Sequence, residues 1–223
     1  MTRSRPGLLA IGPWWPEQVD AHWRDDAYEP PAEIERQADA AVDELRERGS
    51  PAHDGMATRL VEWSEEGGRL RLELQPVRWA LRLLEGGASD SLTALCVVRS
   101  ADGRWLAGRR AGWVSVWANR WALGAGGAVD LGESPARTLS RELAEEWSLE
   151  PERLSVEALV ALPNGMTMLV GLALVPERAQ PVPDAEHDDW AWWPADVDDW
   201  PPEAHERLKA MARMLSARPA RPV

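Results

Sequence analysis

The segment Pro135–Trp147, PARTLSRELAEEW, is the part of this chain whose spacing most narrowly dictates a structure, an amphipathic helix. Ser134 stands where a helix is capped, and Pro135 takes the first helical position, where its missing N–H is no loss. At roughly 100° per residue, Ala136, Leu139, Leu143 and Trp147 form an apolar stripe. Glu142, Glu145 and Glu146 gather beside it at about 0°, −60° and 40°, and Arg141 is expected to project from the other side, near −100° on that wheel. Such a helix must bury its stripe, and the flanking sequence supplies strands. Residues 92–98 are a continuous apolar run of the buried-strand kind. A Ser-Ala-Asp-Gly turn leads into a second strand at 104–110. Apolar runs at 154–162 and 166–175 are split by Pro163-Asn164-Gly165, and 190–194 reads as the final strand. Leu208, Met211, Ala212 and Leu215 share one side of a closing helix after Pro201-Pro202. Strands mixed with a few helices, without regular βαβ alternation, predict an α+β fold or mixed sandwich rather than a doubly wound sheet.

The first ninety residues read differently. Residues 1–31 are rich in Pro and Trp and are expected to form an irregular arm. Ile34, Ala38, Ala41, Val42 and Leu45 recur at helical spacing, and Gly49 followed by Ser50-Pro51 ends the run. Residues 58–63 and 69–75, joined across Glu65-Glu66-Gly67-Gly68, read as a β-hairpin, since 69–74 alternates polar with apolar. Residues 77–84 fit a strand or a short helix. A Gly-rich loop at 85–90 is the best boundary, giving an extension at 1–90 of helix and β-hairpin, a main domain at 91–218 and a tail at 219–223.

Composition narrows the partners. With 25 Lys+Arg against 37 Asp+Glu the net charge is −12. That field repels nucleic acid and acidic membranes, so neither is an expected partner. A small phosphorylated substrate must then be held by local arginines or a divalent cation. The single cysteine, Cys96, excludes an intramolecular disulfide and a Cys-based zinc site, and fits a reducing cytoplasm. It sits within an apolar strand and reads as a small core residue. The apolar stretch from Leu8 to Ile11 is shorter than a signal-peptide core, and nothing approaches a membrane span. With 14 Trp, one Tyr and no Phe, tryptophan takes core positions that Phe ordinarily shares, so a Trp here is weak evidence of a stacking site.

Clustered carboxylates repel one another unless a cation sits among them, and their hard oxygens suit Mg²⁺, Mn²⁺ or Ca²⁺. A lone ExxEE would more simply be a solvated helix face. Here it is embedded in GAVDLGESPARTLSRELAEEWSL, residues 127–149, which resembles the Nudix box, G-x5-E-x7-R-E-U-x-E-E-x-G-U with U a bulky aliphatic residue. Gly127, Glu133, Arg141, Glu142, Leu143, Glu145, Glu146 and Leu149 fit at the right spacing. Ser148 departs, standing where the pattern has its second Gly. That Gly ends the helix in a left-handed conformation, which Ser adopts at a cost of roughly 1 kcal/mol. The resemblance covers about residues 91–216 and implies a Nudix-type α/β/α sandwich with a mixed sheet.

It also implies roles. Glu145 and Glu146 are the expected metal ligands, Glu142 a further ligand or water-orienting base, and the Gly127 carbonyl a further donor, for Mg²⁺ or Mn²⁺. Glu133 and Arg141 are expected to hold each other and the helix. A catalytic carboxylate from the loop before the last strand is assigned to Glu186, with Asp184, Asp188 and Asp189 as alternatives, and His187 is expected on the surface. Arg109, Arg110 and Trp113 are candidate substrate contacts, against surface pairing for the arginines. Core or lid packing is the simpler reading of Trp113 and Trp117. The implied activity is metal-dependent hydrolysis of the diphosphate of a nucleoside diphosphate derivative, of the nucleotide-sugar or ADP-ribose type.

Two other functions compete. Trp121-Ala122-Leu123-Gly124-Ala125-Gly126-Gly127 is similar to the W-x-x-S-A-G-G of isopentenyl diphosphate isomerases, but those need a catalytic cysteine in a loop, and Cys96 lies in a strand. Non-catalytic sensing modules usually lose box carboxylates and gain a DNA-binding domain. This box keeps its carboxylates, and no convincing helix-turn-helix accompanies it. The 34–45 helix and the hairpin offer surfaces for a homodimer or for packing on their own domain.

Overall fold

The computed structural model describes residues 6–50, 54–84 and 90–217. The boundary loop expected at 85–90, Asp90 apart, and the tail at 219–223 lie outside these residues. In chain order the elements are β1 (Gly7–Trp14), β2 (Val19–Trp23), α1 (Ala32–Glu47), β3 (Met56–Glu66), β4 (Arg69–Arg78), a 3₁₀ turn (Trp79–Leu83), β5 (Leu92–Ser100), β6 (Trp105–Arg110), β7 (Trp121–Leu123), β8 (Ala125–Ala128), α2 (Pro135–Trp147), β9 (Arg153–Ala161), β10 (Thr167–Val175), β11 (His187–Trp193) and α3 (Glu206–Ser216).

The large sheet runs β1-β9-β10-β5-β6-β11, with β7 on β6 and β8 on β5. It is mixed, because β10 and β5 run parallel while their other neighbours run antiparallel. Strand periodicity sorts its side chains. Leu92, Ala94, Cys96 and Val98 of β5 and Leu169 and Ala173 of β10 pack with Leu139, Leu143 and Trp147 of α2. Val97 and Val170, one residue out of phase, pack with Leu208, Ala212 and Leu215 of α3. One helix on each face makes the expected α/β/α sandwich. Gly171 allows α2 its close approach, since a Cβ there would lie 2.5 Å from Leu139 Cδ1. Tryptophans fill the α3 side, where Trp200 packs against Trp105 and Trp193 at ring separations of 6.2 and 4.9 Å.

The N-terminal residues are not an irregular arm. β1 pairs antiparallel with β9 as an edge of the large sheet, and β2 pairs parallel with β4 in a second sheet of order β2-β4-β3. Local sequence hides both strands: β1 contains Pro13, and each pairs with a segment far along the chain. The hairpin is β3–β4, turned by Gly67 and Gly68 at φ 59° and 74°, a conformation that favours glycine. Leu70, Leu72 and Leu74 of β4 face inward and join the core of α2. Helix α1 buries Ala38 and Val42 against Ala57, Val77, Ala80 and Leu81, the last two from the 3₁₀ turn. No helix among the described residues is long and apolar enough to cross a membrane.

Candidate active site

Helix α2 carries the site. Ser134 is its N-cap in extended conformation, with Pro135 first in the helix, and the Ser134 carbonyl accepts from Arg137 and Thr138 N–H at 2.8 and 3.0 Å. Ser148 ends it in the left-handed region at φ 51°, ψ 38°, donating its N–H to the Ala144 carbonyl at 3.0 Å. The serine therefore performs the glycine's turn. Between these ends the three carboxylates differ in environment: Glu142 and Glu146 are buried at 9% and 4% exposure, whereas the Glu145 side chain is 57% exposed.

Strand β8 forms the floor beneath them. Gly126 N–H donates to Glu146 Oε1 at 2.9 Å. A Cβ on Gly127 would collide with the Glu142 carboxylate, so only glycine leaves that carboxylate its place. The Gly127 carbonyl accepts from the Thr93 hydroxyl at 2.5 Å, which leaves one lone pair uncommitted by that bond. Thr58, on β3 of the second sheet, donates its hydroxyl to the Val129 carbonyl at 2.7 Å and steadies the loop entering the box.

Arg141 lies among the carboxylates rather than projecting away from them. Its Nη1 is 2.8 Å from both Glu142 Oε1 and Glu145 Oε2, and its Nε donates to Glu133 Oε1 at 3.1 Å. The side chain is long enough to curl back across the turn, which a wheel of Cα directions does not capture. Glu133 also accepts from the Thr138 hydroxyl at 2.7 Å. Burial opposes its charge, but these bonds outweigh it and hold its carboxyl below the usual range.

A second arm comes from β6 and the loop before β11. Arg110 reaches Glu186 Oε2 at 3.0 Å and Glu146 Oε2 at 3.8 Å. The loop is tied to the C-terminal end of α2, with Val182 and Asp184 N–H donating to the Trp147 and Glu146 carbonyls, each at 2.9 Å. Glu186 is thereby brought to the box. Arg109 and Asp188 form a looser pair at 3.6 Å on the rim, both about 40% exposed. Trp113 is half-buried in the loop between β6 and β7. Trp117 in that loop packs edge-on against His205, joining the α3 core rather than offering a free face.

His187 is buried, against the expectation of a surface position. Its side chain is 1% exposed and lies on Trp147 with ring centroids 4.4 Å apart. Gly108 opens the space, since a Cβ there would strike both rings. Nδ1 lies 3.3 Å from Asp184 Oδ1, while Nε2 faces Glu146 Oε2 at 3.6 Å, neither of the latter two atoms having a hydrogen-bond partner. Burial and the Arg110 charge lower its pKa. Only the register of β11 on β6, invisible in a local pattern, brings this histidine inward. Sequence reasoning also missed Arg82. This half-buried residue of the 3₁₀ turn lies within electrostatic range of Glu142, Arg110 and Glu186.

Burial pushes the carboxyls of Glu142 and Glu146 above their ordinary range; Arg141 and Arg110 oppose the rise, and like-charged neighbours add to it. No three His, Cys, Asp or Glu side chains converge on one point among the described residues, because the two arginines stand between the carboxylates. The donor set nonetheless suits a hard divalent cation. Glu146 Oε2 is a buried oxygen without a hydrogen-bond partner among the described residues, and Arg141 Nη1 marks a position between two carboxylates where positive charge is favoured.

A family model described as NUDIX domain matches residues 90–214, more than half of the chain. No curated protein matches it. Among solved structures, the MutT protein of Methanosarcina mazei Go1 is 18% identical with a TM-score of 0.43, the match covering 57% of this chain and 96% of that one. An Ap4A hydrolase from C. elegans, solved as a binary complex, is 20% identical with a TM-score of 0.46, covering 56% and 96%. The NUDIX domain of Shewanella oneidensis NrtR, complexed with ADP ribose, is 23% identical with a TM-score of 0.42, covering 56% and 88%. The matched span holds the whole carboxylate helix with its glycine floor and the loop of Glu186, and by it this chain belongs to the NUDIX family.

Proposed function

We propose that this protein hydrolyses the diphosphate linkage of a nucleoside diphosphate derivative, of the nucleotide-sugar or ADP-ribose type, with Mg²⁺ or Mn²⁺. The observation that carries the reading is the gathering of Glu142, Glu145 and Glu146 over Gly126 and Gly127, with Arg141 among them and Arg110 linking Glu146 to Glu186. Glu142, Glu145 and Glu146, with the Gly127 carbonyl, would hold the cation. Bound there, it supplies charge neutralisation to the diphosphate and a lowered pKa to the attacking water.

The remaining work belongs to the chain. Glu142, whose carboxyl burial raises toward the range of an effective base, orients the water and accepts its proton. Glu186 is a second carboxylate facing that water, held in place by Arg110. The water oxygen bonds to one phosphorus as the bridging P–O bond breaks, and the other phosphate departs. Arg109 is exposed and loosely paired, free to turn toward a phosphate, and Trp113 flanks the approach. Arg141 and Glu133 keep the helix carboxylates in place. The isomerase alternative lacks support, because Cys96 is fully buried and burial pushes its thiol pKa up. A lone buried thiol suits a cytoplasmic setting, and residues 1–90 serve substrate binding or a homodimer.

The test is release of monophosphate products from a panel of nucleoside diphosphate sugars, ADP-ribose and dinucleoside polyphosphates, with Mg²⁺ or Mn²⁺. Glu145→Gln and Glu146→Gln should each abolish turnover with the fold intact. Full activity in both variants refutes the assignment.

A further inference from the structure

The arginines touching the site's carboxylates are committed. Arg141 binds Glu133, Glu142 and Glu145, and Arg110 binds Glu186 and approaches Glu146, while Arg109 on the rim pairs only loosely with Asp188. Arg82 differs. It lies within electrostatic range of Glu142, Glu186 and Arg110, on a turn packed beside Ala128 at the end of β8. Among the described residues it forms no ion pair with any of them.

Its mounting is firm. Ala80 and Leu81 beside it are fully buried, packed with Ala38 and Val42 of α1, and Ala128 at the end of β8 joins the same apolar cluster. Trp79 N–H donates to the Gly55 carbonyl at 2.8 Å, and the Arg82 guanidinium lies 5.6 Å from the Trp79 ring centroid. The turn thus sits against the strand that floors the carboxylate site. A half-buried guanidinium without an anionic partner is unfavourable in itself, and the anion that completes it is one that arrives. A planar guanidinium matches two phosphate oxygens at once.

We propose that Arg82 is a substrate-binding residue, supplied by the segment ahead of the NUDIX domain, that grips a phosphate of the diphosphate. This rests on the proposed hydrolase reading, and it assigns phosphate recognition to a residue outside the box. An incoming diphosphate meets Glu133, Glu142, Glu145, Glu146 and Glu186, and among the described residues Arg82 is a positive charge near that group with no ion pair of its own.

The test uses the full chain with Mn²⁺ and α,β-methylene-ADP, a non-hydrolysable diphosphate, by titration calorimetry beside KM and kcat on the best substrate. Arg82→Met should weaken analogue binding and raise KM about 10- to 100-fold, the loss of a charge-assisted contact. Affinity for Mn²⁺ alone and kcat should hold, the melting temperature should stay level or rise because an unpaired half-buried charge is removed, and Arg82→Lys should recover part of the loss. Unchanged analogue affinity in Arg82→Met overturns the proposal. So does a parallel loss of Mn²⁺ affinity, which would mean that Arg82 acts through the carboxylates. A wild-type protein that neither binds the analogue nor turns over any diphosphate overturns the hydrolase reading itself, an outcome distinct from both.

Discussion

Glu146→Gln should make the metal-free protein more stable while removing its activity. Glu146 is 4% exposed, with Oε1 bonded to Gly126 N–H and Oε2 without a partner. Burial raises its carboxyl well above the ordinary range, and the partial relief from Arg110 and Gly126 does not cancel it. A group whose folded pKa is raised contributes stability below its unfolded pKa and loses it as pH rises through the folded value. At the alkaline end the ionised Glu146 therefore weighs against the fold. Glutamine keeps the shape and the Oε1 contact, removes the charge, and puts an amide NH₂ where Oε2 faced His187 Nε2 at 3.6 Å. With the His187 Nδ1–H given to Asp184, that Nε2 is an acceptor, and the new amide meets it. Arg110 loses a 3.8 Å contact and retains Glu186 at 3.0 Å. Removing one buried, unpaired acceptor contributes about 1–3 kcal/mol. Each kcal/mol moves the melting temperature of a chain this long by about 2–4 °C, so the expected rise is at least about 2 °C. Thermal unfolding followed by circular dichroism in EDTA, on the alkaline side of neutrality, measures it. Saturating Mn²⁺ should then raise the wild type by mass action and leave the variant nearly unmoved, narrowing or reversing the order. A metal-free variant that melts at or below the wild type refutes the reasoning.

Gly127→Ala places a methyl group against the Glu142 carboxylate, whose flexible tip can yield. The melting temperature should change little, while kcat falls about 100-fold from the misplaced carboxylate, and steady-state kinetics beside a melting curve separates the two effects. Ser148→Gly relieves a left-handed serine at φ 51° and should add up to about 1 kcal/mol by urea denaturation; a loss of stability would mean that the serine side chain contributes there. The Glu133 carboxyl is held below its ordinary pKa because bonds from Arg141 and Thr138 outweigh burial. Its contribution is present above the unfolded pKa and lost as pH falls through the folded one. The gap in melting temperature between wild type and Glu133→Gln should accordingly close as the pH drops below the ordinary carboxylate range, and a gap independent of pH contradicts the assignment.

Local patterns revealed what local physics decides. Helix α2 was legible because its stripe, cap and carboxylate face all lie within one continuous segment, and β5, β9 and β10 because buried strands are apolar runs bounded by turns. Features set by distant pairing were not. β1 and β2 read as an irregular arm because Pro and Trp dominate locally, while their partners β9 and β4 lie far along the chain. His187 sits in an acidic run that reads as solvated, and it turns inward only because Gly108 on the neighbouring strand makes room for it on Trp147. A wheel of Cα directions places the Arg141 backbone only, whereas the rotatable bonds along its side chain decide where its charge lies.

The residues ahead of 90 are bound into the chemistry by three kinds of contact, each acting on a different part of the site. β1 pairs with β9 and covers an edge of the sheet on which α2 packs. β3 reaches the box entrance, where Ala57 bridges to Asp130 and Thr58 bonds the Val129 carbonyl; Asp130 in turn lies 3.7 Å from Arg141. The 3₁₀ turn, on a base anchored by α1, holds Arg82 within electrostatic range of Glu142 and Glu186. The first contact bears on the scaffold, the second on the position of the carboxylates, and the third on the charge offered to a substrate. A mutation in β3 should therefore act through Arg141 and the box, whereas one at Arg82 should act on the anion alone. That difference follows from which atoms each segment touches, and separating the two effects by kinetics and metal binding tests whether the first ninety residues work in the active site as proposed.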